Sequence, residues 1–209
     1  MLLVYGWLGI LTNMLIIDIE GSGTNYQKHS IVSLGAVDFN HPERRFYAEC
    51  QIWLGAHIMD EALVVNGFTR VQITDTTKLS EAELVTQFLE WTQECDDCTL
   101  TGQNVSYDRE LLRAAVERAG LNFTLPYRTL DTHTMCFMHM TKRGVTPSID
   151  AQHKRTNLNL DAVMNYCGIP DEPDPHNAFT GALSHAEVTS RLLYNQPLLP
   201  EFAHFPLPW

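Results

Sequence analysis

Asp18 and Glu20 stand two residues apart in the apolar run MLIIDIE. If that run is a strand, its side chains alternate between faces, so both carboxylates project from the same one. Two acids side by side at the end of a buried strand repel each other and lose hydration, and a divalent cation offsets both costs. Oxygen ligands without matching cysteines favour Mg²⁺ or Mn²⁺ over a structural zinc. The plainer alternative is a pair of acids facing solvent. A second stretch, TGQNVSYDRELL, places Asn104 after a strand and Asp108 at the start of a helix, where the helix dipole favours negative charge. Asp108 could also serve there as a helix cap and nothing more. A third, PHNAFTGALSHAEV, puts His176 in a proline-spaced loop ahead of a helix, with no carboxylate until Glu187. His176 is therefore either a catalytic group or an ordinary loop histidine.

The elements that must position these residues can be read from pattern. MLIIDIE, SIVSLGAVDF and RRFYAECQIW read as three consecutive strands, a meander. SEAELVTQFLEW opens with Ser80 as N-cap and Glu83 three residues on, a capping box, and continues with helical apolar spacing. A short strand at CTLTG follows, then a helix from Tyr107 to Ala119 stopped by Gly120. YRTLDT is a further strand before helical segments that include Leu158 to Cys167, with Asn157 ahead of it and Gly168 behind. Strands first, then strands alternating with helices, predict an α/β domain with a mixed sheet covered by helices. The polar stretch TKRGVTPSIDAQHKRTN reads as a long loop that gathers Lys142, Arg143, Lys154 and Arg155.

The bulk numbers narrow the function classes. The 209 residues are 44% hydrophobic, enough for one substantial core, with no internal repeat. A formal net charge of −11 argues against a protein that coats long nucleic acid by neutralising phosphates, but leaves room for a short strand entering an acidic, metal-loaded site. Five cysteines, an odd number, fit a reducing compartment rather than a disulfide framework. Together with the lack of a convincing export signal they point to a cytoplasmic location. Cys95 and Cys98 read as part of a surface turn, since no second pair follows at zinc-ligand spacing. The uncharged first seventeen residues approach the length of a membrane span, but Thr12, Asn13 and Asp18 oppose that reading. Met14 is an alternative start, and no membrane association is expected.

Taken in order, IIDIEGSG, GQNVSYDRELL and PHNA before the last long helix resemble the three exonuclease motifs of the DnaQ-like 3′–5′ exonucleases, the DEDDh group of the ribonuclease H-like superfamily. SIVSLGAVDF is similar to that family's second strand, ALVVNGFT to its alanine-to-glycine segment before the first long helix, and YRTLDTHTM to its strand-to-helix step. The resemblance implies a ribonuclease H-like α/β fold with a mixed sheet of about five strands, the first three antiparallel, flanked by helices. It divides the chain into an apolar N-terminal extension (1–13), an exonuclease domain (14–194) and a proline-rich C-terminal tail (195–209). It also implies a two-metal mechanism with two Mg²⁺ or Mn²⁺ ions at Asp18, Glu20 and Asp108, His176 as general base, and Asn104 as a substrate-binding residue. The expected partner is the 3′ end of single-stranded DNA or RNA.

The sequence departs from the family pattern at one place. The family's histidine is followed five residues later by an aspartate that completes the metal site, and here that residue is Gly181. At about 100° per residue, His185 lies one turn further along the same general face. Ser184 shares that face but is a poor ligand. Glu187 carries the right charge but points elsewhere, where an i,i+4 pair with Arg191 explains it more simply. Water filling the space left by glycine is the remaining possibility. If the site lacks a ligand, Gly181→Asp should improve it. The strong negative charge, less of a handicap with very short RNA, keeps open an oligoribonuclease-like enzyme, and the departure at Gly181 keeps open a catalytically weakened binding or proofreading module. In the tail, Gln196, Leu199 and Phe202 match the loose spacing of sliding-clamp-binding peptides. A clamp or polymerase partner is thus one reading and a tail packed across the domain the other.

Overall fold

The structure, a computed structural model, describes residues 14–209, so the N-terminal extension (1–13) lies outside the described residues. Strands β1 (Leu15–Gly21), β2 (Ile31–Asp38) and β3 (Arg45–Gln51) form the expected antiparallel meander. Two short helices follow, α1 (Asp60–Asn66) and α2 (Arg70–Ile73), then β4 (Leu79–Ser80) and helix α3 (Glu81–Thr92). β5 (Leu100–Gly102), helix α4 (Ser106–Arg118), β6 (Thr129–Asp131) and helix α5 (Thr132–Lys142) come next. The chain ends with β7 (Ile149–Asp150), β8 (Arg155–Thr156), helices α6 (Leu160–Tyr166) and α7 (Ala178–Tyr194), and a 3₁₀ turn at Pro200–Phe202. The main sheet runs β4-β3-β2-β1-β5-β6, with β5 parallel to β1 and β6 parallel to β5. It has six strands where about five were expected, the extra one being the two-residue β4 beside β3.

Alternation along β1 explains the layering. Leu15, Ile17 and Ile19 enter one core with Leu84 and Phe88 of α3 and Leu111 and Leu112 of α4. Met14 and Ile16 face the other way, into a core with Ala182, Leu183 and Ala186 of α7. The next residues on that second face are Asp18 and Glu20. Helix α7 can reach them because β2 carries Gly35 directly beside Asp18 in the antiparallel register. A Cβ at Gly35 would overlap the main chain of Ala178 and Phe179 in the first turn of α7, so only glycine permits this close approach.

Several boundaries differ from the sequence reading. Ser80 and Glu83 form the expected capping box on α3. The cap of α6, however, is Asn159, whose side chain accepts from the Ala162 N–H, and the helix starts at Leu160 instead of Leu158. The basic loop contains the antiparallel β7–β8 pair. Cys95 and Cys98 are free thiols just past α3, raised above the usual thiol range chiefly by burial, Cys95 to about 12.

The tail is packed onto α7. Arg191, fully buried, donates to Glu187 Oε1 at 2.6 Å and to the carbonyls of Cys167, Phe202 and Phe205, each at 3.0 Å. Glu187 Oε2 accepts from the Leu198 and Leu199 N–H groups, both at 2.9 Å. The i,i+4 pair exists, but as an internal clamp, and Leu199 is buried beneath it.

Arg191→Ala should lower unfolding stability by about 3–5 kcal/mol, the cost of stranding one member of a buried ion pair. Denaturant titration measures it, and limited proteolysis should show faster cleavage beyond residue 195. Gly35→Ala should cost about 1–3 kcal/mol or more through overpacking against α7, with loss of any activity that depends on that helix's position.

Candidate active site

Asp108 sits in the first turn of α4, whose N-cap position, Val105, makes no side-chain cap hydrogen bond. Its Oδ1 accepts the Ile19 N–H of β1 at 2.9 Å. β5 pairs with β1 only at Leu15 and Ile16, so beyond them that edge of β1 lacks a strand partner, and Asp108 supplies the acceptor. The bond ties Asp108 to the residue between Asp18 and Glu20. Tyr107, its neighbour, donates its hydroxyl to the Gly23 carbonyl at 2.7 Å and anchors the same helix start to the loop after β1.

His176 is positioned by α1, a helix the sequence reading did not identify. Its backbone N–H donates to the Val65 carbonyl at 3.0 Å. Gly67, left-handed at φ +71°, lies against Pro175, where a Cβ would stand 2.5 Å from the proline ring. Asn66 of α1 donates to the Gly21 carbonyl at 3.1 Å, and its side chain favours ionisation of Glu20. The end of α1 thus brings the His176 loop and the end of β1 together, and a charge on His176 also favours the Glu20 carboxylate. Asn104, in a left-handed turn at φ 53°, is exposed. It lines a cavity of about 530 Å³ with Gln103, Asp131, His133, Arg155 and Asn157, within the usual range for small-ligand sites.

The candidates for the missing fourth ligand fall elsewhere. His185 is buried with Nδ1 against the Ile17 carbonyl at 3.1 Å, and burial pushes it down to about 4. Glu187 serves the Arg191 clamp. Gly181 itself touches Asp18: a Cβ at 181 would overlap the Asp18 carboxylate. A side chain at 181 would therefore enter only with a shift of the end of the Asp18 side chain, which Gly181→Asp would have to displace.

The carboxyl group missed by sequence reading is Glu172. It lies in the loop before His176 and is only 8% exposed. Its Oε1 accepts from the Thr180 hydroxyl at 2.8 Å and from the Asn177 N–H at 3.5 Å. Proline-broken PDEPDP carries no periodicity, so no sequence signal distinguishes Glu172 from Asp171 or Asp174.

The electrostatics of this cluster set it apart. Burial holds Asp18 well above the usual carboxyl range, and the charges of Asp108, Glu20 and Glu172 push the same way. Burial raises Asp108 to about 8 against the opposing Ile19 hydrogen bond, and raises Glu20 with help from Glu172. Besides the partly buried Asp18 and Glu20, five acids among the described residues are buried: Asp38, Glu81, Asp108, Glu172 and Glu187. Asp38, Glu81 and Glu187 each face an arginine, namely Arg44, Arg118 and Arg191. Asp108 and Glu172 make no such ion pair, and both act on Asp18 or Glu20. A concentration of carboxylates without a basic partner suits a divalent cation. Among the described residues no three such side chains close on one metal position as they stand.

The family model for the 3′–5′ exoribonuclease Rv2179c-like domain matches residues 13–193. Ribonuclease T of Histophilus somni (strain 129Pt) is 25% identical over 135 residues, 58% of this chain and 62% of that protein. Ribonuclease T of Haemophilus influenzae (strain PittEE) is 26% identical over 138 residues, covering 58% and 59% respectively. The match thus spans about three-fifths of these relatives' length. Among solved structures, E. coli Exonuclease I in complex with a dA16 oligonucleotide superposes with a TM-score of 0.69 at 15% identity, over 88% of this chain and 42% of that one. Cell-death related nuclease 4 gives a TM-score of 0.69 at 14% identity, over 88% and 64%. These likenesses agree with the mixed sheet and flanking helices, and among the described residues no helix is long and apolar enough to cross a membrane. With a family model spanning nearly the whole described domain, the chain belongs to the 3′–5′ exoribonuclease Rv2179c-like family, within the DnaQ-like exonucleases of the ribonuclease H-like superfamily.

Proposed function

We infer that this protein hydrolyses phosphodiester bonds at the 3′ end of single-stranded nucleic acid, with Asp18, Glu20 and Asp108 holding two divalent ions and His176 as general base. The observation that supports the reading is a group of carboxylates without a basic partner whose charges act on one another, beside a histidine fixed by its backbone to α1. Mg²⁺ or Mn²⁺, when bound, would supply positive charge at the scissile phosphate and a more acidic water. His176 then accepts the water proton as the oxygen bonds to phosphorus and the bond to the preceding 3′ oxygen breaks. Asn104 and Arg155 share a cavity wall with Asp131, whose charge acts on Asp108, and this supports contact of that wall with the strand leading to the reacting end. RNA is the favoured substrate class, from the family's description and the relatives' name; a structural neighbour's complex with dA16 keeps single-stranded DNA within reach.

End-labelled single strands of RNA and DNA test the reading. Loss of label from the 3′ end should require Mg²⁺ or Mn²⁺ and stop in EDTA. Asp18→Ala should abolish it, and His176→Ala should reduce kcat by about 10²–10⁴, the usual contribution of a general base. Metal-independent degradation, or attack from the 5′ end, would count against it. Arg155→Ala should raise KM several-fold with kcat little changed.

A pH prediction follows from the raised acids. The folded chain retains protons on Asp18 and Asp108 that the unfolded chain releases in the ordinary carboxyl range. Folding therefore binds protons between that range and about pH 8, and this contribution to stability is lost as pH rises. In EDTA the melting temperature should fall across that window. Added Mn²⁺ should raise it more at the alkaline end, where the site is ionised.

A further inference from the structure

We propose that Glu172 supplies the fourth carboxylate of the metal site, from the loop before His176, in place of the missing acid at position 181. This rests on the metal-dependent reading above. The hydrogen bonds from Thr180 and Asn177 hold the Glu172 carboxylate against the first turn of α7. Those two residues directly precede Gly181 and directly follow His176 in the chain. The tether therefore sets Glu172 against the first turn of α7, one residue and about 100° around the helix from 181. A side chain at 181 would meet the end of the Asp18 side chain, and with glycine there α7 itself offers no carboxylate at that place.

The charge environment selects Glu172 from the other loop acids. Asp171 accepts from the Asn165 side chain at 2.6 Å and is exposed, as is Asp174. Glu172 alone of the three is buried. It lacks the arginine that compensates Asp38, Glu81 and Glu187, and its charge acts on both Asp18 and Glu20. A carboxylate tied down only by a hydroxyl and a backbone N–H, facing two further acids, is destabilising unless a cation joins it. Tethering by Thr180 also gives the loop ligand the outer-sphere support that metal-binding carboxylates need.

Calorimetric Mn²⁺ titration of the full chain tests this directly, with Asp18→Asn as the site reference and Asp174→Asn as the charge control in the same loop. Glu172→Gln should weaken Mn²⁺ binding at least about tenfold, Glu172→Asp should recover part of it, and Asp174→Asn should bind as wild type. In EDTA, Glu172→Gln should melt at or above the wild-type temperature, because it removes one of several like charges and can still accept from Thr180. A purely structural tether predicts the opposite: a lowered melting temperature without metal and wild-type affinity with it. Wild-type Mn²⁺ affinity in Glu172→Gln, or equal weakening in Glu172→Gln and Glu172→Asp, would overturn the assignment while leaving the Asp18 site intact. Absence of Mn²⁺ binding by the wild type would instead sink the metal reading beneath it.

Discussion

The close seat of α7 on the sheet is the constraint on which the rest depends. Gly35 in β2 lets the first turn of α7 rest on the strand, and Gly181 lets the next turn rest on Asp18. Both contacts lie where β1 and β2 pair at Asp18 and Gly35. With a larger side chain at Gly35 the helix would stand further from the sheet, and the loop that carries Glu172 and His176 would rise with it, whereas one at 181 would have to displace the end of the Asp18 side chain. The far end of the helix is held just as firmly, because Arg191 and Glu187 bind the main chain of the tail. The helix is thus fixed at both ends, by shape at one and by charge at the other.

Charge is handled in two ways within one chain. Glu81 is compensated by a forked pair of hydrogen bonds from Arg118, at 2.8 Å each, and also accepts from Ser30 and the Ile31 N–H. Such a group is satisfied and has no further chemical capacity. The carboxylates at the end of β1 lack this compensation and repel one another, so the folded protein is under electrostatic load at one spot. That load is the physical form of a binding site for positive charge: the same terms that raise these acids above their ordinary range favour a cation entering among them. A net charge of −11 adds a long-range component that favours cations and repels nucleic acid away from the site.

Much of this was legible in the sequence because it depends on short-range geometry. The two-residue spacing of Asp18 and Glu20 fixes a shared face on any strand, and Ser80 with Glu83 fixes a helix start. What was not legible depends on tertiary neighbours. Helix α1 has no side-chain cap, and Val64 is largely exposed, so its seven residues show neither a start signal nor a clean apolar stripe. Its role comes from where it ends, at Val65, Asn66 and Gly67 against the His176 loop. The two-residue strands β4, β7 and β8 are too short for alternation to register. Arg191 reads as one half of a surface pair until the tail covers it.

Gly181 shows why a one-residue departure from a family pattern needs structural context. Read along the helix, its absent carboxylate points to His185 or Glu187, because helical neighbours are all that spacing offers. In the fold, His185 lies against the Ile17 carbonyl and Glu187 holds the tail, so neither is free to substitute. The compensating charge comes from the preceding loop, which has no fixed spacing to the helix and is coupled to it only through Thr180 and Asn177. Moving a carboxylate from helix to loop would ordinarily loosen its position, but burial and the tether to the first helical turn limit that freedom. Glycine at 181 then has a second consequence. By leaving the helix surface bare, it gives Asp18 room to lean towards α7, so the same residue that removes one acid determines where the first one sits.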